Sequence, residues 1–344
     1  MKKLLFIGPI CKGEIPRGGD TMKNQLFIKR FSEVFDKIVA IDTLTWRKNP
    51  LVILKILICL ILFRNAKVVL SCEKVAPIII KFLYYVRIQK QVFYWMVGSD
   101  VAHRLIAGEL KTYYFGYLKQ IIVQSPQIVD NLSKLGLANV IYIPNSKPMF
   151  DIPAVDHSKG LTKFVYLSRI LPEKGCDLLV NIIKRLNQEG REKNFDVTFY
   201  GPIMEGYDFL SKIEDIKNVK YKGVLDLQKK EGYEELSKYD VFLFPTFYKG
   251  EGFPGSVIDT FIAGLPIIAT DWHYNKEVVR DGETGVIIPP NDEEALYNSM
   301  LQFVNDKSGI NAMGENCKRE AKKYDINIIL NNNKLHQIGL LDNE

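Results

Sequence analysis

Several features that mark common classes of site are missing from this sequence. The five cysteines are scattered and include no Cys-x-x-Cys pair, so neither a disulfide framework nor a zinc site is expected. No Asp-x-Asp occurs, and no histidines and acids stand at the spacing of metal ligands. We therefore expect no metal and no other cofactor, and a reducing cytoplasm as the setting. The cysteines are Cys11, Cys59, Cys72, Cys176 and Cys317.

Long apolar runs are also missing. The longest is LVILKILICLILF from Leu51 to Phe63, interrupted only by Lys55. As a helix, about 13 residues reach roughly 20 Å, whereas a hydrocarbon core needs about 30 Å. We expect this helix either to be buried on a sheet or to lie in a membrane interface. The residues flanking it are Trp46, Arg47, Lys48 and Arg64.

The start of the chain, MKKLLFIGPI, holds too short an apolar run for a signal peptide and predicts a first strand. A length of 344 residues suits two domains. We place an N-terminal domain at residues 1–150 and a second domain at residues 160–324, with a helix from about 325 packing back on the first. The linker lies in the proline-containing segment Pro144–Thr162.

Charge is unevenly distributed along the chain. Residues 1–150 hold 22 Lys and Arg against 9 Asp and Glu, a net charge of +13, whereas residues 151–344 carry −7. The basic half either presents solvated lysines or faces an anionic partner such as a membrane surface or a lipid diphosphate. Nucleic acid is disfavoured because no aromatic and basic recognition motif occurs.

Short β-branched or apolar runs alternate with helical periodicity throughout, which predicts an α/β fold with two parallel sheets. The predicted strands of the front half are 4–8, 37–42, 67–71, 91–97, 120–124 and 140–143. Those of the back half are 163–168, 196–200, 219–221, 241–245, 266–270 and 285–288.

The segment from Tyr239 to Asp271 predicts a strand, a glycine-containing loop, a helix and a second strand. Gly255 and Ser256 would start the helix, where free N–H groups suit a phosphate. Glu251 in the same loop suits a ligand with hydroxyl groups, such as a sugar. The segment GEGFPG also matches Gly-x-Gly-x-x-Gly with Asp271 following, but a dinucleotide site normally lies directly after the first strand of its domain.

Asp259 lies about 130° from the apolar face of the predicted helix, so we expect its carboxylate to be available to a ligand. A second cluster, FVYLSRILPEKGCDLL, places Arg169 and Lys174 after a strand, where they can converge on a diphosphate. The alternative for all four charged residues, Arg169, Lys174, Glu251 and Asp259, is ordinary solvated loop and helix positions.

SRILPEKG together with PTFYKGEGFPGSVIDTFIAGLPIIATD resembles the donor half of retaining GT-B glycosyltransferases of family 4, a group that includes capsule and lipopolysaccharide enzymes. The resemblance extends to Gly18 and Gly19, to VIYIPN and to ETGVIIPPND. It implies GT-B architecture, with two Rossmann-like parallel-sheet domains facing a central cleft.

The resemblance implies that Arg169 and Lys174 hold the donor diphosphate and that Glu251 contacts the hydroxyls of the donor sugar. Asp259 stands where the family usually has a glutamate that binds the nucleotide ribose. The loop residues that would help hold sugar and phosphate are Phe253, Pro254, Gly255 and Ser256, with Gly18 and Gly19 closing from the other domain.

A histidine that many family members carry in the front domain is replaced here by Ser99 and Asp100, with His103 a turn further on. Asp100 is the candidate for a sugar or acceptor contact, and His103 is either its substitute or an ordinary helix-surface residue.

The implied function is transfer of a hexose, with retention, from a UDP- or GDP-sugar to a glycan or lipid-linked saccharide in cell-surface polysaccharide biosynthesis. Fixed cations would replace a metal ion. The expected location is the cytoplasm, with peripheral association at the inner membrane face. The alternatives are a nucleotide-sugar epimerase of the same fold and a non-catalytic, membrane-associated binding protein.

Overall fold

A computed structural model describes residues 2–11, 18–63, 65–87 and 91–342 of the chain. The chain divides into two compact units. The first unit comprises Met1–Ser146 together with Ile326–Glu344, and the second unit is Lys147–Asp325.

The first unit contains a six-stranded parallel sheet with the order β2-β1-β3-β4-β5-β6. Its strands are β1 (Lys3–Gly8), β2 (Lys37–Asp42), β3 (Lys67–Leu70), β4 (Val92–Trp95), β5 (Gln120–Val123) and β6 (Val140–Tyr142). Its first six helices are α1 (Gly19–Phe31), α2 (Leu51–Leu62), α3 (Ala76–Val86), α4 (Asp100–Ile106), α5 (Thr112–Gly116) and α6 (Pro126–Lys134).

The second unit contains another six-stranded parallel sheet, with the order β12-β11-β10-β7-β8-β9. Its strands are β7 (Thr162–Leu167), β8 (Phe195–Tyr200), β9 (Val219–Tyr221), β10 (Val241–Phe244), β11 (Ile267–Thr270) and β12 (Gly285–Ile288). Its helices are α7 (Cys176–Gln188), α8 (Leu210–Ile213), α9 (Lys230–Leu236), α10 (Gly255–Ala263), α11 (Asn275–Val278), α12 (Glu293–Asn305) and α13 (Ile310–Ala321).

The twelve predicted strands are confirmed, with ends shifted by at most two residues. The inner strands of both sheets carry apolar side chains on both faces, because helices cover a parallel sheet on each side. Strand β10, for example, is buried throughout as VFLF. Such continuously apolar runs predict buried strands even though they lack an alternating pattern of apolar and polar residues.

The C-terminal segment belongs to the first unit. Helices α14 (Ile326–Ile329) and α15 (Asn332–Gln337) follow the last residue of the second unit. Leu330 and Leu335 are buried in the same core as Phe27 and Phe31 of α1. Arg30 Nε also donates to the carbonyl oxygen of Leu330 at 2.9 Å.

The apolar segment 51–63 forms α2 as predicted, but it is not a buried helix. Only Ile56, Cys59 and Leu60 are buried, and the opposite face is exposed. The flanking Arg64 lies outside the described residues. No helix within the described ranges is long and apolar enough to cross a membrane.

Candidate active site

Two distant segments of the sequence meet at the carboxyl edge of the second sheet. Strands β7 and β10 pair directly, with Phe164 opposite Val241. Because parallel strands end at the same edge, the loops that follow β7 and β10 lie side by side. The first loop carries Arg169 and Lys174, and the second carries Glu251. The hydrogen bonds between these loops join two motifs that are about eighty residues apart in sequence.

A buried ion pair joins the two loops. Lys174 and Glu251 are only 6% and 8% exposed. The Nζ of Lys174 donates to Oε2 of Glu251, and the Oγ1 of Thr246 donates to the same oxygen at 2.9 Å. Such partners are required, because an unpaired charge withdrawn from water is strongly destabilising. The pair also neutralises the carboxylate that the loop places beside a helix N-terminus.

Tyr248 is a site residue that the sequence analysis missed. Its ring centroid lies 5.1 Å from Cζ of Arg169 and 5.3 Å from Nζ of Lys174, within range of cation–π attraction. Arg169 itself is exposed. The ring therefore stands next to both cations, which suits a site for a diphosphate. Its position in TFYK, between β10 and the glycine loop, is the sequence feature that could have identified it.

The backbone of the first loop needs glycine at one position. Lys174 ends a 3₁₀ turn, Pro172–Lys174, and Gly175 follows with φ +82° before α7 begins. A Cβ on Gly175 would lie 2.4 Å from the carbonyl oxygen of Pro245. Because Pro245 directly follows β10, this close approach sets the distance between the two loops.

The loop before α10 is only partly open to a ligand. The ring of Phe253 is buried and packs 5.6 Å from the ring of Tyr324, so this side chain has a packing role. Pro254 is also buried. Gly255 and Ser256, at the start of α10, are half-buried, and the N-cap residue Pro254 provides no side-chain hydrogen bond to the helix. Their N–H groups are therefore placed where an anion is favoured.

The prediction that Asp259 is available to a ligand is wrong. Asp259 is 4% exposed. Its Oδ2 accepts a hydrogen bond from Nζ of Lys147 and its Oδ1 accepts one from the hydroxyl of Tyr233, both at 2.7 Å. Burial, and then the charge of Asp259, raise the pKa of Tyr233 well above its usual value. The helix face that periodicity leaves polar is covered by α9 and by Lys147.

The remaining predicted residues lie in the first unit. Gly18 and Gly19 form the start of α1. A Cβ on Gly19 would meet no atom of a described residue within 4 Å, so packing does not demand glycine there. Asp100 begins α4, directly after the loop that follows β4, and its side chain is 58% exposed, 3.8 Å from Arg104. His103 is half-buried on the same helix.

Buried polar residues that the sequence analysis did not single out lie at the carboxyl edge of the first sheet. Lys23 Nζ donates to Oε1 of Gln124 at 2.5 Å, and both side chains are buried. The Nε2 of Gln124 has no hydrogen-bond partner among the described residues. Gln124 directly follows β5, and this position at the end of a strand is the sequence feature that could have identified it.

Glu73 holds the loop that carries Asp100. Its two carboxylate oxygens accept hydrogen bonds from the N–H groups of Gly98 at 2.9 Å and Val101 at 3.0 Å. Withdrawal from water raises the pKa of Glu73, and the charge of Asp100 adds to this effect. Glu73 therefore positions the backbone on both sides of Asp100.

All five cysteines are buried, and no two of them form a disulfide bond. Within the described ranges, no group of three or more His, Cys, Asp and Glu side chains is arranged to hold a metal ion.

The segment that contains both loops of this site matches a family of known proteins. Residues 162–306 match the family described as Glycosyl transferases group 1. An uncharacterised glycosyltransferase of Methanocaldococcus jannaschii is 24% identical over 238 residues, 66% of this chain and 62% of that protein. The capsular polysaccharide biosynthesis glycosyltransferase CapM of Staphylococcus aureus is 27% identical over 170 residues, 48% of this chain and 42% of that protein. The chain thus spans less than two thirds of the length of these curated relatives.

Similarity to solved structures covers nearly the whole chain. HepE of Anabaena, whose crystal structure is a complex with UDP, has a TM-score of 0.71 and 13% identity, and the match covers 99% of this chain and 100% of that one. At this identity the match shows the fold, and it confirms the two Rossmann-like domains predicted from the resemblance to GT-B enzymes. Residues 162–306, which include both loops of the site, match the glycosyl transferases group 1 family.

Proposed function

We propose that this chain transfers a hexose from a nucleoside diphosphate sugar of the UDP or GDP type to a saccharide acceptor. The observation that carries the proposal is the buried Lys174–Glu251 pair beside Arg169, inside the segment that matches the family. The pair offers a carboxylate for sugar hydroxyls, and Arg169 and Lys174 offer cations for a diphosphate.

The charges fit the departure of a diphosphate. As the glycosidic bond loosens, negative charge grows on the leaving phosphate and positive charge grows on the sugar. Arg169 presents a planar fork of donors, and Lys174 keeps two N–H donors beyond the one given to Glu251. The N–H groups of Gly255 and Ser256 add the positive end of α10. These fixed groups supply the stabilisation that a metal ion supplies in other transferases.

We further propose that configuration is retained. In this mechanism the leaving phosphate itself deprotonates the acceptor hydroxyl, so that the protein provides no separate base. The proposed acceptor is a saccharide or lipid-linked saccharide of a cell-surface polysaccharide, in keeping with the name of the relative CapM. Asp100, held by Glu73 through Gly98 and Val101, is the proposed acceptor-side contact, and the reaction is placed at the inner membrane face.

The test is a transfer assay with a panel of UDP- and GDP-hexoses and a lipid-linked acceptor. Arg169→Ala and Glu251→Gln should each lower kcat/KM by about 10²-fold or more. Lys249→Ala, which removes an exposed cation from the same loop, should leave kcat/KM within about twofold. Nuclear magnetic resonance of the product should show the anomeric configuration of the donor.

Free epimer in place of a transferred sugar would make the chain an epimerase and overturn the proposal. Full activity of Arg169→Ala would equally overturn it. Chelator should leave turnover unchanged, and loss of turnover that Mg²⁺ or Mn²⁺ restores would refute the part assigned to the fixed cations.

A further inference from the structure

Helix α2 presents an apolar face that nothing in the described structure covers. At about 100° per residue, its exposed side chains fall within an arc of roughly 120°, opposite the buried Ile56 and Leu60. The one charged residue in this arc, Lys55, lies at its edge. The exposed apolar residues are Leu51 (66%), Leu54 (52%), Ile58 (46%), Ile61 (57%) and Leu62 (71%).

Helix α3 extends the same surface. The crossovers from β2 to β3 and from β3 to β4 run in the same direction across the sheet, so right-handed connections place α2 and α3 on one face. Ile78, Lys81 and Tyr85 are exposed at the i, i+3, i+7 positions of α3. The ring centroids of Tyr84 on α3 and Tyr114 on α5 lie 5.0 Å apart, so a cluster of tyrosines borders this surface. The outer faces of α2 and α3 are called the α2–α3 surface below.

The charge around the α2–α3 surface has one sign. Between Asp42 and Asp100 the sequence holds nine Lys and Arg and a single acid, Glu73. Both oxygens of Glu73 already accept backbone hydrogen bonds from Gly98 and Val101. Six exposed cations of this stretch form no ion pair with any described residue. They are Arg47, Lys48, Lys55, Lys74, Lys81 and Arg87.

An apolar face with cations at its border fits an anionic lipid surface. Apolar side chains can enter the region of the acyl chains, while lysine stems extend so that their ammonium groups reach the head groups. A second copy of this chain fits poorly, because the same cations would then face one another. Trp46, next to Arg47 in the turn that precedes α2, is an aromatic of the type enriched at membrane interfaces.

We propose that the α2–α3 surface is a membrane-docking surface, on which α2 lies in the plane of an anionic bilayer. The exposed face of α2 enters the boundary between head groups and acyl chains, and the surrounding Lys and Arg side chains bind lipid phosphates. The inference goes beyond sugar transfer and does not depend on it. It depends only on the placement of α2 and α3.

Flotation of the purified full chain tests the surface, with vesicles of phosphatidylcholine alone and vesicles that also contain phosphatidylglycerol. The chain should float with the anionic vesicles at low salt and bind phosphatidylcholine at least about tenfold more weakly. Leu54→Glu with Ile58→Glu should lower binding to anionic vesicles by about tenfold or more. Lys55→Glu with Lys81→Glu should lower it at low salt and less at high salt.

Matched controls lie on the opposite face of the same sheet. Ile328 is 59% exposed on α14, and Lys29 is exposed on α1, so Ile328→Glu and Lys29→Glu are single substitutions of the same two kinds away from the α2–α3 surface. Both controls should bind within about twofold of the wild type. Circular dichroism and the thermal shift produced by UDP or GDP should be the same in all variants, which separates docking from folding and from donor binding.

A wild-type chain that stays unbound with anionic vesicles at low salt overturns the proposal. Equal losses in the α2 variant and in Ile328→Glu also overturn it. If light scattering shows a dimer that Leu54→Glu with Ile58→Glu dissociates, the surface is an interface between copies and the proposal is wrong.

Discussion

At the scale of single residues, the ring of Tyr248, in the loop after β10, contacts the two cations of the loop after β7. It lies within about 5 Å of both proposed diphosphate cations without donating a hydrogen bond to either. Its backbone is held in turn, since Nε1 of Trp272 donates to the carbonyl oxygen of Tyr248 at 2.9 Å. The ring is therefore a positioning group for Arg169 and Lys174.

Tyr248→Leu should raise the KM for the donor about three- to tenfold with a smaller change in kcat, because cation–π contacts contribute roughly 0.5–2 kcal/mol. Tyr248→Phe keeps the ring and should restore the wild-type KM. Steady-state kinetics with varied donor concentration measures both values. Equal KM in the Leu variant and the wild type would show that the ring does not position the cations.

Glu73 makes a prediction about pH. Its pKa is raised in the folded chain above its ordinary value of 4.5, chiefly by withdrawal from water, so the folded state binds a proton more tightly than the unfolded state. The contribution of Glu73 to the free energy of unfolding therefore falls as pH rises from about 4.5 through the raised pKa of the folded state. Relative to the wild type, Glu73→Gln should become more stable as pH rises over this window.

Urea unfolding of both proteins between about pH 4.5 and 8 measures this difference. Parallel profiles across the window would contradict the raised pKa of Glu73. Loss of transfer activity in Glu73→Gln without loss of stability would separately show that Glu73 positions Asp100.

At the scale of elements, α7 is bounded by two glycines with the same backbone conformation and different surroundings. Gly175 before the helix has φ +82° and Gly190 after it has φ +79°. A Cβ on Gly190 would meet no described atom within 4 Å, whereas one on Gly175 would meet Pro245. Gly190 therefore only ends the helix, whereas Gly175 also fixes the distance between two loops of the site.

Gly190→Ala should cost about 1–2 kcal/mol of stability, the penalty of a left-handed conformation with a side chain. Gly175→Ala should cost a further 1–3 kcal/mol, roughly, for the overlap with Pro245. Gly175→Ala alone should also weaken donor binding, because the loop that carries Lys174 must move. Urea unfolding and nucleotide thermal shifts measure these effects, and equal effects of the two variants would contradict this account of Gly175.

At the scale of the whole molecule, the chain returns to its first unit after completing the second. The C-terminal segment is held on the first unit by a hydrogen bond as well as by the apolar core, because Lys67 Nζ donates to the carbonyl oxygen of Gly339 at 2.9 Å. The last helices therefore stabilise a domain whose other residues end at Ser146.

Leu335→Ala should lower the stability of the first unit by about 2–5 kcal/mol, because Leu335 is fully buried beside α1. Ile328→Ala, at an exposed position of the same segment, should change it by less than about 0.5 kcal/mol. Hydrogen exchange of α1 and β1, read by mass spectrometry, should quicken only in Leu335→Ala. Exchange that is unchanged in both variants would mean that the segment does not support this core.

The sequence by itself determined the twelve strands and the two sheets, and it placed Arg169, Lys174 and Glu251 in the loops that the structure brings side by side. It could do so because buried parallel strands are apolar throughout, and because SRILPEKG and GEGFPG each follow such a strand. Local pattern carries this information.

Only the tertiary structure decided which side chains became partners. The periodicity of α10 places Asp259 away from its apolar face, yet Tyr233 and Lys147 arrive from other segments and bury it. The almost wholly apolar sequence of α2 is compatible with a buried helix, yet its outer face is left exposed. In both cases the reason is physical. The sequence of a helix shows which residues share a face, but the groups that cover this face come from residues distant in the chain.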